Sequence, residues 1–198
     1  MANTITILRI LLAFIALGIL FIGEPSHPKY AHISFILTIF VMWFDGLDGF
    51  IARKFNEVSK LGAVLDIMGD RIVENLFWVI FASLGWITPF IPVVVLTRGI
   101  VTDSIRSLAL AQGYTAFGDK TMQQGKIEKF IVASNFSRFT YAVCKATAFL
   151  FMLLGHSELD FQGKEIILQI GVICTIISVI FCVLRGLPVV FESKRFLK

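Results

Sequence analysis

Four aspartates within WFDGLDGFIARKFNEVSKLGAVLDIMGDR are the residues of this chain best suited to chemistry. Asp45 and Asp48 stand three apart and Asp66 and Asp70 four apart, so on helices each pair of carboxylates occupies one face. The segments around them are apolar, and the short stretch from Lys54 to Lys60 predicts an antiparallel turn that brings both pairs to one membrane depth. Four acids sharing a small volume repel one another, and an ionised side chain inside a bilayer carries a penalty of about 3 kcal/mol or more. Divalent cations are the simplest remedy. Carboxylate oxygens without His or Cys favour hard ions, Mg2+ or Mn2+, over zinc. The plainer alternative is pairing with Arg53, Arg71 or solvent at a polar helix end; it suits a lone acid better than four at helical spacing. Gly49 and Gly62 flank the pairs and, with the small Ala52, leave room for a ligand or a facing helix.

The elements that must carry these acids follow from composition. Of 198 residues, 57% are hydrophobic and only 16% charged, and the mean hydropathy is +0.83. That excludes an ordinary soluble domain. A crossing needs about 20 mostly apolar residues, and six can be placed, near 5–23, 31–52, 61–85, 89–111, 138–154 and 165–185. The expectation is an all-α, polytopic integral membrane protein, six transmembrane helices in one bundle, forming a single domain over 1–198. Breaks fall at Gly23 to Pro28, Trp86 to Pro92 and Gly155 to Gly163. Residues 112–137 form the longest connection, polar and then amphipathic, suited to the membrane surface. The first span carries Arg9 and lacks a small-residue cleavage site, so it reads as a retained helix rather than a signal peptide. Cys144, Cys174 and Cys182 lie in apolar stretches without metal-ligand spacing and read as small hydrophobes.

The net charge of +4 is better explained by a cytoplasmic basic collar than by nucleic acid, for which no role is expected. With the N-terminus inside, the inner side holds Arg9, Arg53, Lys54, Lys60, Lys120, Lys126, Lys129, Arg138, Arg185, Lys194, Arg195 and Lys198, against Lys29 and Lys164 outside. The acidic turn therefore faces the cytoplasm. His27, His32 and His156 fall near the outer side, away from the acids.

The acidic segment resembles the signature of the CDP-alcohol phosphotransferase family: DxxDGxxAR, eight residues, then GxxxDxxxD. Every fixed position is present, as Asp45, Asp48, Gly49, Ala52, Arg53, Gly62, Asp66 and Asp70. Asn3, Thr6 and Arg9 are similar to the NxxTxxR that opens the first helix in many members. The resemblance implies transfer of a phosphatidyl group from CDP-diacylglycerol to a small alcohol, with release of CMP. It implies two divalent cations, Mg2+ or Mn2+, on Asp45, Asp48, Asp66 and Asp70, and Asp70 also as general base for the acceptor hydroxyl. Gly49, Ala52, Arg53 and Gly62 would line the CDP side of the pocket. A homodimer in the bacterial inner membrane, its active site facing the cytoplasm, is implied as well.

Arg98 and Arg106, two turns apart in a largely apolar run, and Arg138, Tyr141 and Lys145 at i, i+3 and i+7 make two cationic stripes. Such stripes suit an acceptor that carries a phosphate. The spacing of Arg98 and Arg106, with Gly125-Lys126, resembles the phosphatidylglycerophosphate synthase branch and implies glycerol 3-phosphate. Gly99 and Glu128 depart from that branch, so either Lys126 or Lys145 could meet the acceptor. Inositol phosphate, inositol or serine are the alternative acceptors. Internal pairing offers a second account of the cations, Glu74 with Arg98 and Asp103 with Arg106 or Lys145. From a different class, a divalent-cation transporter would also set acids on adjacent helices, but nearer the bilayer midplane.

Overall fold

The computed structural model describes residues 2–23, 26–55, 60–111 and 134–193; the side chains of several helical residues, among them Asp48, Gly49, Ala52 and Arg53, lie outside the described set. Six helices make up the described residues: α1 (Ala2–Gly23), α2 (Lys29–Lys54), α3 (Lys60–Ser83), α4 (Phe90–Ala111), α5 (Asn135–His156) and α6 (Lys164–Glu192). No strand occurs among them. The all-α expectation holds. The amphipathic connection expected at 112–137 falls mostly outside the described residues.

Four of the helices carry stretches long and apolar enough to cross a membrane: Asn3–Gly23, Lys29–Leu47, Phe136–His156 and Lys164–Glu192. α3 and α4 are comparable in length, at 24 and 22 residues, but their apolar runs are interrupted by the charges that the sequence marks as functional. The distribution of side chains fits a lipid solvent. Ile22 and Phe90 are 81% and 77% exposed, whereas Ser34, Thr38, Thr102 and Ser178 are buried. Small polar residues inside and large apolar ones outside let membrane helices approach closely, and the two threonine hydroxyls return to their own backbone, Thr38 Oγ1 donating to Ser34 O at 2.7 Å and Thr102 Oγ1 to Arg98 O at 2.9 Å.

Helix ends follow local chemistry. α3 closes where Gly85 adopts φ 76°, a conformation glycine tolerates freely. The Gly85 and Trp86 amides donate to the carbonyls of Ala82 and Phe81 at 3.1 and 2.9 Å, and the Trp86 ring packs on Phe81. That is a Schellman ending with its hydrophobic contact. α6 departs from expectation. The sixth span is expected near 165–185, and the helix runs on through Pro188 to Glu192. Proline forfeits its own N–H bond, but neighbouring contacts can hold the turn in an apolar setting; here Val189 is fully buried.

The chain forms two compact units, Met1–Pro89 with Ala146–Ile173, and Phe90–Lys145 with Cys174–Lys198. In the first, α1 packs against both α2 and α3. Its core is aromatic: Phe77 of α3 stacks on Phe149 of α5 at 4.4 Å, and Trp78 meets the same ring edge-on at 4.6 Å. Trp86 stacks on His156 at 3.8 Å, which gives that histidine a structural setting. Replacing Phe149 with Ala should therefore lower the unfolding free energy by about 3 kcal/mol, with Phe149→Leu losing markedly less. Chemical denaturation in detergent micelles checks this; equal stability of Phe149→Ala and the parent would contradict the placement of this core.

Candidate functional site

Each helix of the first unit brings one continuous stripe to the acids. On α2 the buried positions Ala31, Ser34, Thr38 and Val41 run at intervals of three and four, and the next step along that face is Asp45. On α3 the buried Phe77, Trp78 and Phe81 anchor a face whose earlier turns carry Gly69 and Asp66. On α1, Thr6, Arg9, Ala13, Ala16, Leu17 and Leu20 are all buried, a single helical stripe packed against both neighbours. The hydrophobic parts of the three stripes fix the rotation of the helices, and the same rotation turns their polar ends toward one another.

Asp45, Asp66 and Asp70 each offer a carboxylate oxygen within 4.8 Å of the other two. That spread matches the distance of about 4 to 5 Å across an oxygen-bound divalent cation. All three residues are exposed, open to an incoming ligand. The donor set is oxygen only, so the group could hold a hard cation.

Arg9 reaches the same point from α1. Its guanidinium pairs with Asp45 Oδ1 through Nη1 and donates from Nη2 to Asp70 Oδ1 at 3.0 Å. The arginine side chain is 2% exposed, whereas the two carboxylates are 51% and 52% exposed. A cation buried within the bundle thus supports two acids on its surface. Gly69 makes the approach possible. A Cβ there would lie 2.9 Å from Arg9 Nη2 and 3.2 Å from Thr6 Cγ2.

Of the other expected residues, Gly62 is half-buried in the first turn of α3, one turn before Asp66. Asp48, Gly49, Ala52 and Arg53 belong to α2, but their side chains lie outside the described residues, as does Lys126 altogether. Arg71 pairs with the buried Glu74 at 3.7 Å. Glu74 thus has a partner one turn away on its own helix. Asp103 engages Arg106 at 3.6 Å, as anticipated.

The second unit holds Arg98, Arg106, Arg138 and Lys145 of the expected acceptor cations. Arg185 of α6 lies in electrostatic range of Arg98, Arg106 and Arg138. Its guanidinium carbon sits 5.5 Å from the Tyr141 ring centre, and Lys145 Nζ lies 5.3 Å from the same ring. The Arg98 side chain crosses Gly186, where a Cβ would fall 2.8 Å from its Cγ, and Arg98 Nε is buried with no hydrogen-bond partner among the described residues. Cations grouped in this way could receive an anion.

The contacts of Arg9, Gly69, Arg185 and Gly186 are not read from the sequence, which gives Arg9 only as part of the NxxTxxR opening and the basic collar. Arg9 and Arg185 had been counted among the basic collar, although a cation inside an apolar span was already a signal. The glycines carried none, because a close approach shows only when the partner helix is in place.

A family model described as CDP-alcohol phosphatidyltransferase matches residues 1–184. The chain belongs to this family. Among curated CDP-alcohol phosphatidyltransferases, CDP-diacylglycerol–inositol 3-phosphatidyltransferase 1 of Arabidopsis thaliana is 33% identical over 82 residues, 41% of this chain and 33% of that protein. A CDP-diacylglycerol–glycerol-3-phosphate 3-phosphatidyltransferase of Wigglesworthia glossinidia brevipalpis is 31% identical over 106 residues, 52% of this chain and 56% of its own. The protein of the same name from Bacillus subtilis is 25% identical over 170 residues, 85% of this chain and 81% of its own. The chain thus spans a third of the Arabidopsis relative and just over half of the Wigglesworthia one. Membership accounts for the acidic segment and for helices suited to a membrane.

Removing both carboxylates that hold Arg9 leaves a buried cation poorly compensated. In the presence of a chelator, Asp45→Asn combined with Asp70→Asn should lose about 2 kcal/mol of stability, the half-exposure of the acids moderating the cost. Thermal unfolding in EDTA measures it. An unchanged midpoint would mean that Arg9 is not held by these acids.

Proposed function

We propose that this protein transfers the phosphatidyl group of CDP-diacylglycerol to glycerol 3-phosphate and releases CMP, as a step in phospholipid synthesis. The convergence of Asp45, Asp66 and Asp70 to within 4.8 Å, in a chain of this family, carries the reading. Asp45, Asp48, Asp66 and Asp70 hold two divalent cations, Mg2+ or Mn2+. Such cations, when bound, neutralise the donor's diphosphate and stabilise the departing CMP.

The protein's own groups do the rest. Gly49, Ala52, Arg53 and Gly62 receive the CDP moiety, the small residues by leaving space and Arg53 through charge-assisted hydrogen bonds to phosphate. Asp70 accepts the proton of the acceptor hydroxyl as that oxygen attacks the phosphatidyl phosphorus. The new P–O bond forms while the bond to the CMP phosphate oxygen breaks, and its electron pair leaves with CMP.

For the acceptor, the cations of the second unit support a phosphorylated alcohol. Arg98, Arg106 and Arg138 lie in electrostatic range of Arg185, and Lys145 shares the Tyr141 ring with it; Lys126 belongs to the same set on sequence grounds. Relatives named for inositol or inositol phosphate match over 41% to 50% of the chain and those named for glycerol 3-phosphate over 52% and 85%; the longer of these matches supports glycerol 3-phosphate, with inositol phosphate, inositol and serine as the alternatives. The same reading makes the chain one domain over 1–198 with six crossings. It works as a homodimer in a bacterial inner membrane with its acids at the cytoplasmic face, in keeping with the basic collar.

Purified protein given CDP-diacylglycerol, a panel of acceptors and either Mg2+ or EDTA should release CMP only with metal, and fastest with glycerol 3-phosphate. Asp70→Asn should lower kcat by about 10³-fold. No CMP with any acceptor would sink the transferase reading and leave cation transport as the rival; release with inositol phosphate or serine alone would overturn only the acceptor. Gly186→Leu, which crowds Arg98, should raise KM for glycerol 3-phosphate about tenfold while leaving KM for the donor within twofold. An unchanged acceptor KM would remove Arg98 from the acceptor site.

A further inference from the structure

The placement of Arg9 is unusual for a positive-inside charge. It is 1% exposed, deeper than any other cation among the described residues, and one of the largest fully buried side chains. Two of its nitrogens engage the Oδ1 atoms of Asp45 and Asp70, while Nε has no hydrogen-bond partner among the described residues. The acids it touches are two of the three whose oxygens converge. The guanidinium therefore sits on the very carboxylates that could take a divalent cation.

We infer that Arg9 is an internal counter-ion of the acidic site, which occupies Asp45 and Asp70 while no nucleotide is bound and so couples binding of the divalent cations to binding of the donor's diphosphate. The inference rests on the reading of these acids as metal ligands. Without a ligand, the acids repel one another, and the guanidinium relieves that repulsion at no cost in mobile ions. A dication arriving at the same oxygens meets a fixed positive charge in surroundings that screen poorly, so its binding is opposed. A diphosphate changes the balance. Its oxygens offer the guanidinium fork new acceptors, and each Asp45 or Asp70 oxygen that Arg9 yields becomes available to a cation. By linkage, whatever factor CDP contributes to cation affinity, the cation returns to CDP affinity. Donor and metal then load together, and the empty enzyme holds metal weakly.

Gly69 belongs to the same device. The absence of a side chain there lets Arg9 Nη2 pass within reach of Asp70, whereas a Cβ would stand 2.9 Å from that nitrogen.

Mn2+ binding to the full-length protein in detergent, followed by electron paramagnetic resonance with and without CDP and corrected for Mn2+ held by free CDP, tests the coupling without any turnover. In the parent protein CDP should tighten Mn2+ strongly. Arg9→Met should bind Mn2+ at least tenfold more tightly than the parent when CDP is absent, and the factor contributed by CDP should shrink at least fivefold. Gly69→Ala, a milder displacement of the guanidinium, should move both quantities in the same direction by about two- to fivefold, and it carries the test if Arg9→Met does not fold. A second readout is stability: Mn2+ should raise the unfolding temperature of Arg9→Met more than that of the parent. Equal or weaker Mn2+ binding in the folded variants, or an unchanged CDP factor, would overturn the inference while the metal site stands. A parent protein that binds no Mn2+ even with CDP would overturn both.

Discussion

Like charges must be held together at close range, and that constraint organises the first unit. Asp45, Asp66 and Asp70 come from two helices and converge to within 4.8 Å. Left alone, they would drive α2 and α3 apart. The opposing forces are the aromatic core on α3 and α5, the small-residue seam of α2, and above all Arg9, whose guanidinium touches an acid on each helix. α1 is therefore more than a membrane anchor. It supplies the positive charge that lets the other two helices present their acids side by side.

That role explains the composition of α1. Its buried stripe from Thr6 to Leu20 is made of residues that pack closely, with one arginine among them. The cost of burying a cation is offset because both its partners are carboxylates and both are fixed by their own helices. Glycine at position 69 is the steric counterpart. A close approach of helix to helix and a charge bridge between them are met by one pair of positions.

The second unit repeats the theme with the opposite sign. Arg98, Arg106 and Arg138 each lie within electrostatic range of Arg185, with Tyr141 presenting its ring to Arg185 and Lys145. An aromatic face moderates cationic repulsion without neutralising it, and Gly186 gives Arg98 its path.

Much of this was legible in the residues themselves. The spacing of Asp45, Asp48, Asp66 and Asp70 determined that each pair shares a helical face, because a helix repeats every 3.6 residues whatever surrounds it. Apolar runs and glycine or proline breaks located the helices to within a few residues, except at the end of α6, where packing around Val189 carries the helix past Pro188. Periodicity says nothing about the rotation of one helix against another, however. Only the packed structure decided that Arg9 points at the acids rather than toward the membrane surface, that Glu74 turns to Arg71, and that Gly69 and Gly186 give two arginines their close approach. These contacts join residues far apart in the chain, and they exist only once the hydrophobic stripes have settled which faces meet.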